Sequence, residues 1–250
     1  MTHFVWLALG TGLGLVAFWL LWLKLRPLPP LPPVPDNIKA LYVPEQIQRA
    51  VLVLHGYTGS MAESTWRAQS LLNGGLSDTT AVFVAQGTIA LGNDRFSWYN
   101  FSFDIFALSN YPRVRSAVAQ LLNGVRALML HLECADVPLH IVGNSQGGHM
   151  ALNCALGQEA PDLSIPMTLA TGGWWYEGDY GTERAALRPG VERVVNFHGT
   201  EDVVVNYARS RATLEAFAVL HDVPASFISK PTRHEVWPAC RSELVALLNA

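Results

Sequence analysis

The sequence predicts a doubly wound α/β domain, a mostly parallel sheet with helices on both faces, preceded by one N-terminal transmembrane helix. Three observations predict it. Six short apolar runs alternate with longer stretches of helical periodicity after residue 38. Several of those runs are continuously apolar rather than alternating, which suits strands covered on both faces. Residues 4–23, FVWLALGTGLGLVAFWLLWL, hold no charged side chain.

The N-terminal segment comes first. Twenty residues at the helical rise span roughly 30 Å, the thickness of a bilayer's hydrocarbon core. Trp6 near one end and Trp19 and Trp22 near the other fit the interfacial belts. A cleaved signal peptide is the competing reading. The segment lacks a basic start, is long for a signal core, and is followed by no small-residue cleavage site. Gly10 and Gly14 form a G-x-x-x-G pair that could support weak homodimerisation. No strand precedes them, which argues against a dinucleotide-binding turn. No Lys or Arg precedes the segment, whereas Lys24, Arg26 and Lys39 follow it, so the positive-inside rule places the rest of the chain in the cytoplasm. PLPPLPPVP, residues 27–35, reads as a semi-rigid polyproline II spacer. The expected organisation is an anchor at 1–25, a Pro-rich linker at 26–37 and the α/β domain at 38–250.

Within that domain the strand candidates are AVLVLH (50–55), TAVFVAQ (80–86), PLHIVG (138–143), SIPMTLAT (164–171), VERVVNFHG (191–199) and PASFISK (224–230). Helix candidates lie between them at 62–73, 112–133, 146–157, 206–221 and 239–249. Pro112 suits the first turn of the long helix. Such alternation builds right-handed βαβ units. Ligands of these sheets bind beyond the carboxyl ends of the strands.

Composition excludes some functions. The net charge of −3 and the absence of a basic run leave no footprint for nucleic acid. Cys134, Cys154 and Cys240 are too widely spaced for a disulfide framework or a zinc site and read as buried free thiols. No metal or organic cofactor is called for.

The chemistry concentrates at GNSQGG, residues 143–148. Ser145 follows a strand candidate and precedes a helix candidate, the setting in which G-x-S-x-G makes a nucleophile elbow. Side chains at positions 143 and 147 would collide with the turn or the neighbouring strand. A serine needs a base. Of eight histidines, His234 lies in the loop after the last strand, where a base belongs in the order Ser, acid, His. The acid falls between them: Asp202, just past a strand candidate, with Glu201 as its local rival and Asp179 and Glu183 as weaker candidates. Two donors are needed for an oxyanion. The backbone N–H groups of Gln146 and of Tyr57, in the loop after the first core strand, fill those places.

Together these stretches resemble α/β-hydrolase serine esterases, most nearly the phospholipase/carboxylesterase group that includes acyl-protein thioesterases. The resemblance rests on LHGYTG (54–59), FSWYNFSFD (96–104), GNSQGG (143–148), HGTEDVVV (198–205) and RHE (233–235). It implies the α/β-hydrolase fold, Ser145 as nucleophile, Asp202 and His234 as its partners and Tyr57 as oxyanion donor. It also implies a substrate cleft lined by Trp98, and an acyl ester or thioester substrate. The chain departs from the family in reading H-G-Y-T-G and G-N-S-Q.

Residues 171–190 have no counterpart in that resemblance. Trp174, Trp175 and Tyr176 follow a strand and would form an apolar lid or acyl-pocket wall, or else pack beneath a long loop. A function of another class fits the same fold: a membrane-tethered binding or scaffolding protein without catalysis. The intact Ser, Asp and His set weighs against it.

Overall fold

The structure, a computed structural model, describes residues 30–102, 104–157, 159–176 and 186–250. The expected transmembrane helix with its Gly10 and Gly14, the first part of the linker, and Asp179 and Glu183 lie outside the described residues. Among the described residues no helix is long and apolar enough to cross a membrane. Pro33–Ala250 form one compact unit.

Its centre is a seven-stranded sheet in the order β1-β3-β2-β6-β7-β8-β9. The strands are β1 (Ile38–Tyr42), β2 (Arg49–Leu54), β3 (Thr80–Ala85), β6 (Leu139–Asn144), β7 (Met167–Thr171), β8 (Arg193–Gly199) and β9 (Ala225–Lys230). All neighbours run parallel except β1, which pairs antiparallel with β3. The six expected strands are therefore present. The fourth begins at Met167 rather than residue 164, directly after Pro166.

Three strands were not expected. β1, IKALY, is a short edge strand with one fully buried residue, too weak a pattern to stand out. β4 (Ile89–Gly92) and β5 (Arg95–Ser97) form a separate hairpin. Its turn places Gly92, Asn93 and Asp94 at positive φ. Asn and Asp are the side-chain-bearing residues that best tolerate that region, so the hairpin did have a local signal.

The helices are α1 (Met61–Leu72), α2 (Tyr111–His131), α3 (Gln146–Asn153), α4 (Tyr207–His221) and α5 (Trp237–Asn249). Pro112 stands in the first turn of α2, where its missing N–H costs nothing. α3 stops well short of residue 157 because the chain turns from Cys154 onward.

Strand pleating sorts the core into two layers. Leu52, Leu54, Phe83 and Ile141 face α2 and α4 through Val118, Leu122, Val125, Leu214 and Phe217. The alternate residues Val51, Val53, Val84, Val142 and Phe197 face α1 and α5 through Ala68, Leu71, Trp237 and Leu244. Burying each large apolar side chain contributes about 1.5–3 kcal/mol. The sheet's rigidity therefore comes from both faces, and the loops at its carboxyl edge hang from a fixed frame. The three cysteines are buried and unpaired. Burial pushes the Cys154 and Cys240 thiols up to about 12, so both are inert at neutral pH.

Candidate active site

Ser145 joins β6 directly to α3. Its backbone sits at φ 51° and ψ −116°, a conformation that L-residues occupy only under constraint. The constraint is visible. Ser145 N–H donates to the Thr171 carbonyl at 2.8 Å. A β-carbon at Gly143 would lie 2.0 Å from the Gly147 carbonyl oxygen, and one at Gly147 would lie 2.3 Å from that of His55. Only glycine at both positions lets strand, turn and helix close this tightly, as the spacing of the motif leads one to expect.

The turn lifts the Ser145 hydroxyl toward the loop after β9. His234 Nε2 stands 2.8 Å from Ser145 Oγ, and its Nδ1 stands 2.7 Å from Asp202 Oδ2. Asp202 follows β8. Its Oδ1 accepts from the N–H groups of Val204 at 2.8 Å and Val205 at 2.9 Å. Glu201, the rival acid, is exposed and contributes only its backbone N–H, to the Thr232 carbonyl. Residues separated by 57 and 32 positions in sequence are thus strung into one hydrogen-bonded chain.

The electrostatics favour an ionised acid at the end of that chain. Burial alone would raise the Asp202 carboxyl. Hydrogen bonds from His198 and His234 and from the Val205 amide outweigh it and hold the group well below the usual carboxylate range. His198, fully buried at the end of β8, places Nε2 3.2 Å from Asp202 Oδ2 and 3.0 Å from the Val205 carbonyl. With a carbonyl and a carboxylate as neighbours, Nε2 is the donating nitrogen. His198 is not among the residues that the motif order singles out. Its spacing, four residues before the acid at a strand end, was the only available signal.

Tyr57 and Gln146 flank the serine from two sides. Gln146 opens α3, so its N–H has no carbonyl one turn back to bond. Tyr57 lies in the tight turn closed by the Gly59 N–H to the Gly56 carbonyl at 3.1 Å, and its own N–H has no acceptor among the described residues. The two parts touch, since a β-carbon at Gly56 would stand 3.4 Å from Ser145 Cβ. His55 anchors this loop. Its Nε2 accepts from Gly87 N–H at 2.9 Å, so Nδ1 carries the proton and donates to the Gly56 carbonyl. Burial lowers its pKa and keeps the ring neutral.

The Gln146 side chain does work that the motif alone could not reveal. Fully buried, it accepts from Trp98 N–H at 3.1 Å and donates to the Tyr99 carbonyl at 2.9 Å. It thereby ties the 97–99 segment to the elbow. Asn144 is also explained, for its Oδ1 accepts from the Thr171 hydroxyl at 2.8 Å and locks β6 to β7 below the serine.

The three tryptophans are all buried. None forms an exposed wall. Trp98 is buried, stacks on His55 at 4.8 Å and donates its indole N–H to the His55 carbonyl. It supports the 55–59 loop from beneath. Trp175 packs in the core against Phe217 of α4, with ring centroids 4.4 Å apart. Trp174 is buried with Phe106 and Val205 and donates to the Ile105 carbonyl. Each of these rings is large enough to demand burial, and for Trp98 and Trp174 a nearby carbonyl satisfies the indole N–H. Residues 174–176 are all buried.

Trp174 also stacks on His149 at 4.7 Å. That histidine is fully buried on α3, hydrogen-bonded through Nδ1 to the Tyr99 hydroxyl, with no partner for Nε2 among the described residues. Burial lowers its pKa from 6.5 to about 3. Between those two values the unfolded chain binds the proton and the folded one does not, so stability falls as pH drops through the window. At pH 5 the loss relative to pH 7.5 is about 2 kcal/mol. Denaturant unfolding at both pH values checks this: the drop should be smaller by about that amount in His149→Gln.

No protein-family model matches the sequence, and no curated protein does. Solved structures do match. Esterase PE8 superposes with a TM-score of 0.68 at 18% identity, over 85% of this chain and 98% of that one. The acyl-protein thioesterase 2 of Zea mays gives 0.61 at 18%, over 84% and 96%. A Bacillus cereus carboxylesterase gives 0.68 at 12%, over 86% and 94%. With a mostly parallel sheet, a tight strand-to-helix turn after β6 and a match along nearly the full length of these structures, the chain has an α/β-hydrolase-like fold.

Proposed function

We propose that the protein is a serine hydrolase that cleaves carboxylic esters or thioesters through an acyl-enzyme. The observation that carries the reading is the unbroken chain Ser145 Oγ, His234 Nε2, His234 Nδ1, Asp202 Oδ2 at hydrogen-bond distances. Ser145 Oγ attacks the acyl carbonyl carbon while its proton passes to His234 Nε2. The carbonyl oxygen takes up the displaced electron pair and lies against the N–H groups of Tyr57 and Gln146. The carbon–oxygen or carbon–sulfur bond to the leaving group then breaks, and His234 returns the proton to the departing atom. Water, deprotonated by His234, attacks the acyl-serine and releases the acid and Ser145. Asp202 holds the imidazole with its proton on Nδ1 and balances the imidazolium charge.

An apolar acyl group suits the surroundings. Tyr57, Val203 and Val204, each next to or within two residues of an assigned group, are 46%, 90% and 63% exposed. Exposed apolar residues at this point favour acylated or lipid-like substrates over small polar ones. The test is a panel of acyl esters and thioesters of increasing chain length, with fluorophosphonate labelling of the purified full chain in detergent. Turnover that rises with acyl length supports both parts. Turnover confined to the shortest esters removes the lipid-like preference, and no turnover or labelling removes the hydrolase reading in favour of a binding protein on this fold.

The charge-free run at 4–23 supports a single-pass anchor with the hydrolase domain in the cytoplasm. A reporter fused after residue 250 checks the side, and an extracytoplasmic signal would reverse it.

A further inference from the structure

Arg67 of α1 is a charged residue whose side chain is only 3% exposed, and no assigned step uses it. Each of its three guanidinium nitrogens is engaged. Nη1 and Nη2 form a two-pronged contact with Glu235 at 3.1 and 2.9 Å, and Nε reaches Glu63 Oε1 at 3.0 Å. Its Cζ lies 5.3 and 5.1 Å from the ring centroids of Trp66 and Trp237. Both carboxylates lead back to the site. Glu235 is the residue after His234, and its Oε1 also accepts from Trp237 N–H at 3.2 Å. Glu63 Oε1 accepts from Gly56 N–H at 3.3 Å, and Gly56 is the residue before Tyr57.

We propose that Arg67 is a positioning residue: through Glu235 it fixes the loop that carries His234, and through Glu63 it fixes the loop that carries the Tyr57 N–H. The inference rests on the serine hydrolase reading above and adds the device that registers base and oxyanion donor against Ser145. The physical case is specific. A planar fork holds a carboxylate in orientation as well as in distance, which an ammonium does not. Gly56 is held on both sides, its N–H by Glu63 and its carbonyl by His55 and Gly59, so the peptide unit that bears the Tyr57 N–H has little freedom to rotate. Burial would raise the Glu235 carboxyl, yet the Arg67 guanidinium keeps it below the ordinary range, so the pair is ionised at neutral pH. Two loops that leave the sheet at β2 and at β9, four strands apart in the order β2-β6-β7-β8-β9, are thus referred to one buried cation.

The experiment measures kcat and KM for a soluble acyl ester, the rate of fluorophosphonate labelling and the melting temperature, in the full chain and its variants. Arg67→Met and Glu235→Gln each lower kcat and the labelling rate about 10- to 100-fold, as a small misplacement of reacting groups does. KM stays within about threefold of native, because the substrate's own contacts are untouched. The double variant loses no more than the worse single one, since both break the same link. Arg67→Lys, which keeps the charge and loses the fork, recovers part of kcat. A merely structural ion pair would lower the melting temperature and leave kcat of the folded fraction unchanged, and that result overturns the proposal. So does a loss confined to KM, or single losses that multiply in the double variant. If Arg67→Met does not fold, Glu235→Gln and Glu63→Gln decide by the same criteria, both acting on partly exposed carboxylates. Native protein that neither turns over nor labels overturns the hydrolase reading itself, whereas active native protein with indifferent variants overturns this inference alone.

Discussion

Ser145→Ala abolishes fluorophosphonate labelling and lowers kcat for acyl esters by on the order of 10⁶. The size follows from what is removed. Without the hydroxyl no acyl-enzyme forms, and the only nucleophile left is water. The Tyr57 and Gln146 N–H groups still bind the developing oxyanion, so a residual rate of about 10³–10⁴ over solvent is expected rather than none. The fold should survive, because alanine can take the same positive φ and the Ser145 N–H keeps its bond to Thr171. Labelling followed by intact-mass measurement, with thermal unfolding as a control, checks it. A variant that still labels would place the nucleophile elsewhere.

Asp202→Asn has the second largest effect, a loss of about 10⁴ in kcat. The substituted amide can keep most of its volume and its acceptance of the Val204 and Val205 N–H groups through one oxygen. It cannot keep both His198 and His234 as donors, since its nitrogen presents hydrogens to them. His234 is then free to hold its proton on Nε2, the atom that must accept from Ser145. Glu201→Gln, one residue earlier, changes kcat less than about twofold, because its side chain is exposed and away from the imidazole. Steady-state kinetics on the two variants separates them, and a larger loss for Glu201→Gln would exchange the assignments.

Which parts were legible beforehand has a physical pattern. The core strands announced themselves because covering both faces of a parallel sheet requires uninterrupted apolar residues, as in AVLVL or AVFVA. Ser145, Asp202 and His234 could be picked out as candidates because ligands of such a sheet gather beyond its strand ends, and the structure brings the three within hydrogen-bond distance. The aromatic residues were harder. Trp98, Trp174 and Trp175 stand in loops near the site, and sequence does not show whether a carbonyl waits for an indole N–H. His55 and Ile105 supply those carbonyls from 43 and 69 residues away. Gln146 hid a side-chain role behind a backbone role. Arg67 hid in an ordinary amphipathic helix, since a charged residue there is nearly always solvated and only the distant Glu235 makes it otherwise.

The place of β9 carries a last consequence. It is an edge strand, paired on one side only with β8, and its residues are half-buried where those of β2 and β6 are sealed. Elements of this kind open locally at less cost than the centre of a sheet. Ser145 is therefore built into the most durable part of the molecule and His234 into one of the least. Fraying that leaves the core folded already parts His234 from Ser145, so under the proposed mechanism the margin of catalytic competence is narrower than the margin of folding. The connection from Arg67 on α1 to Glu235 crosses that gap and ties the rim back to the interior.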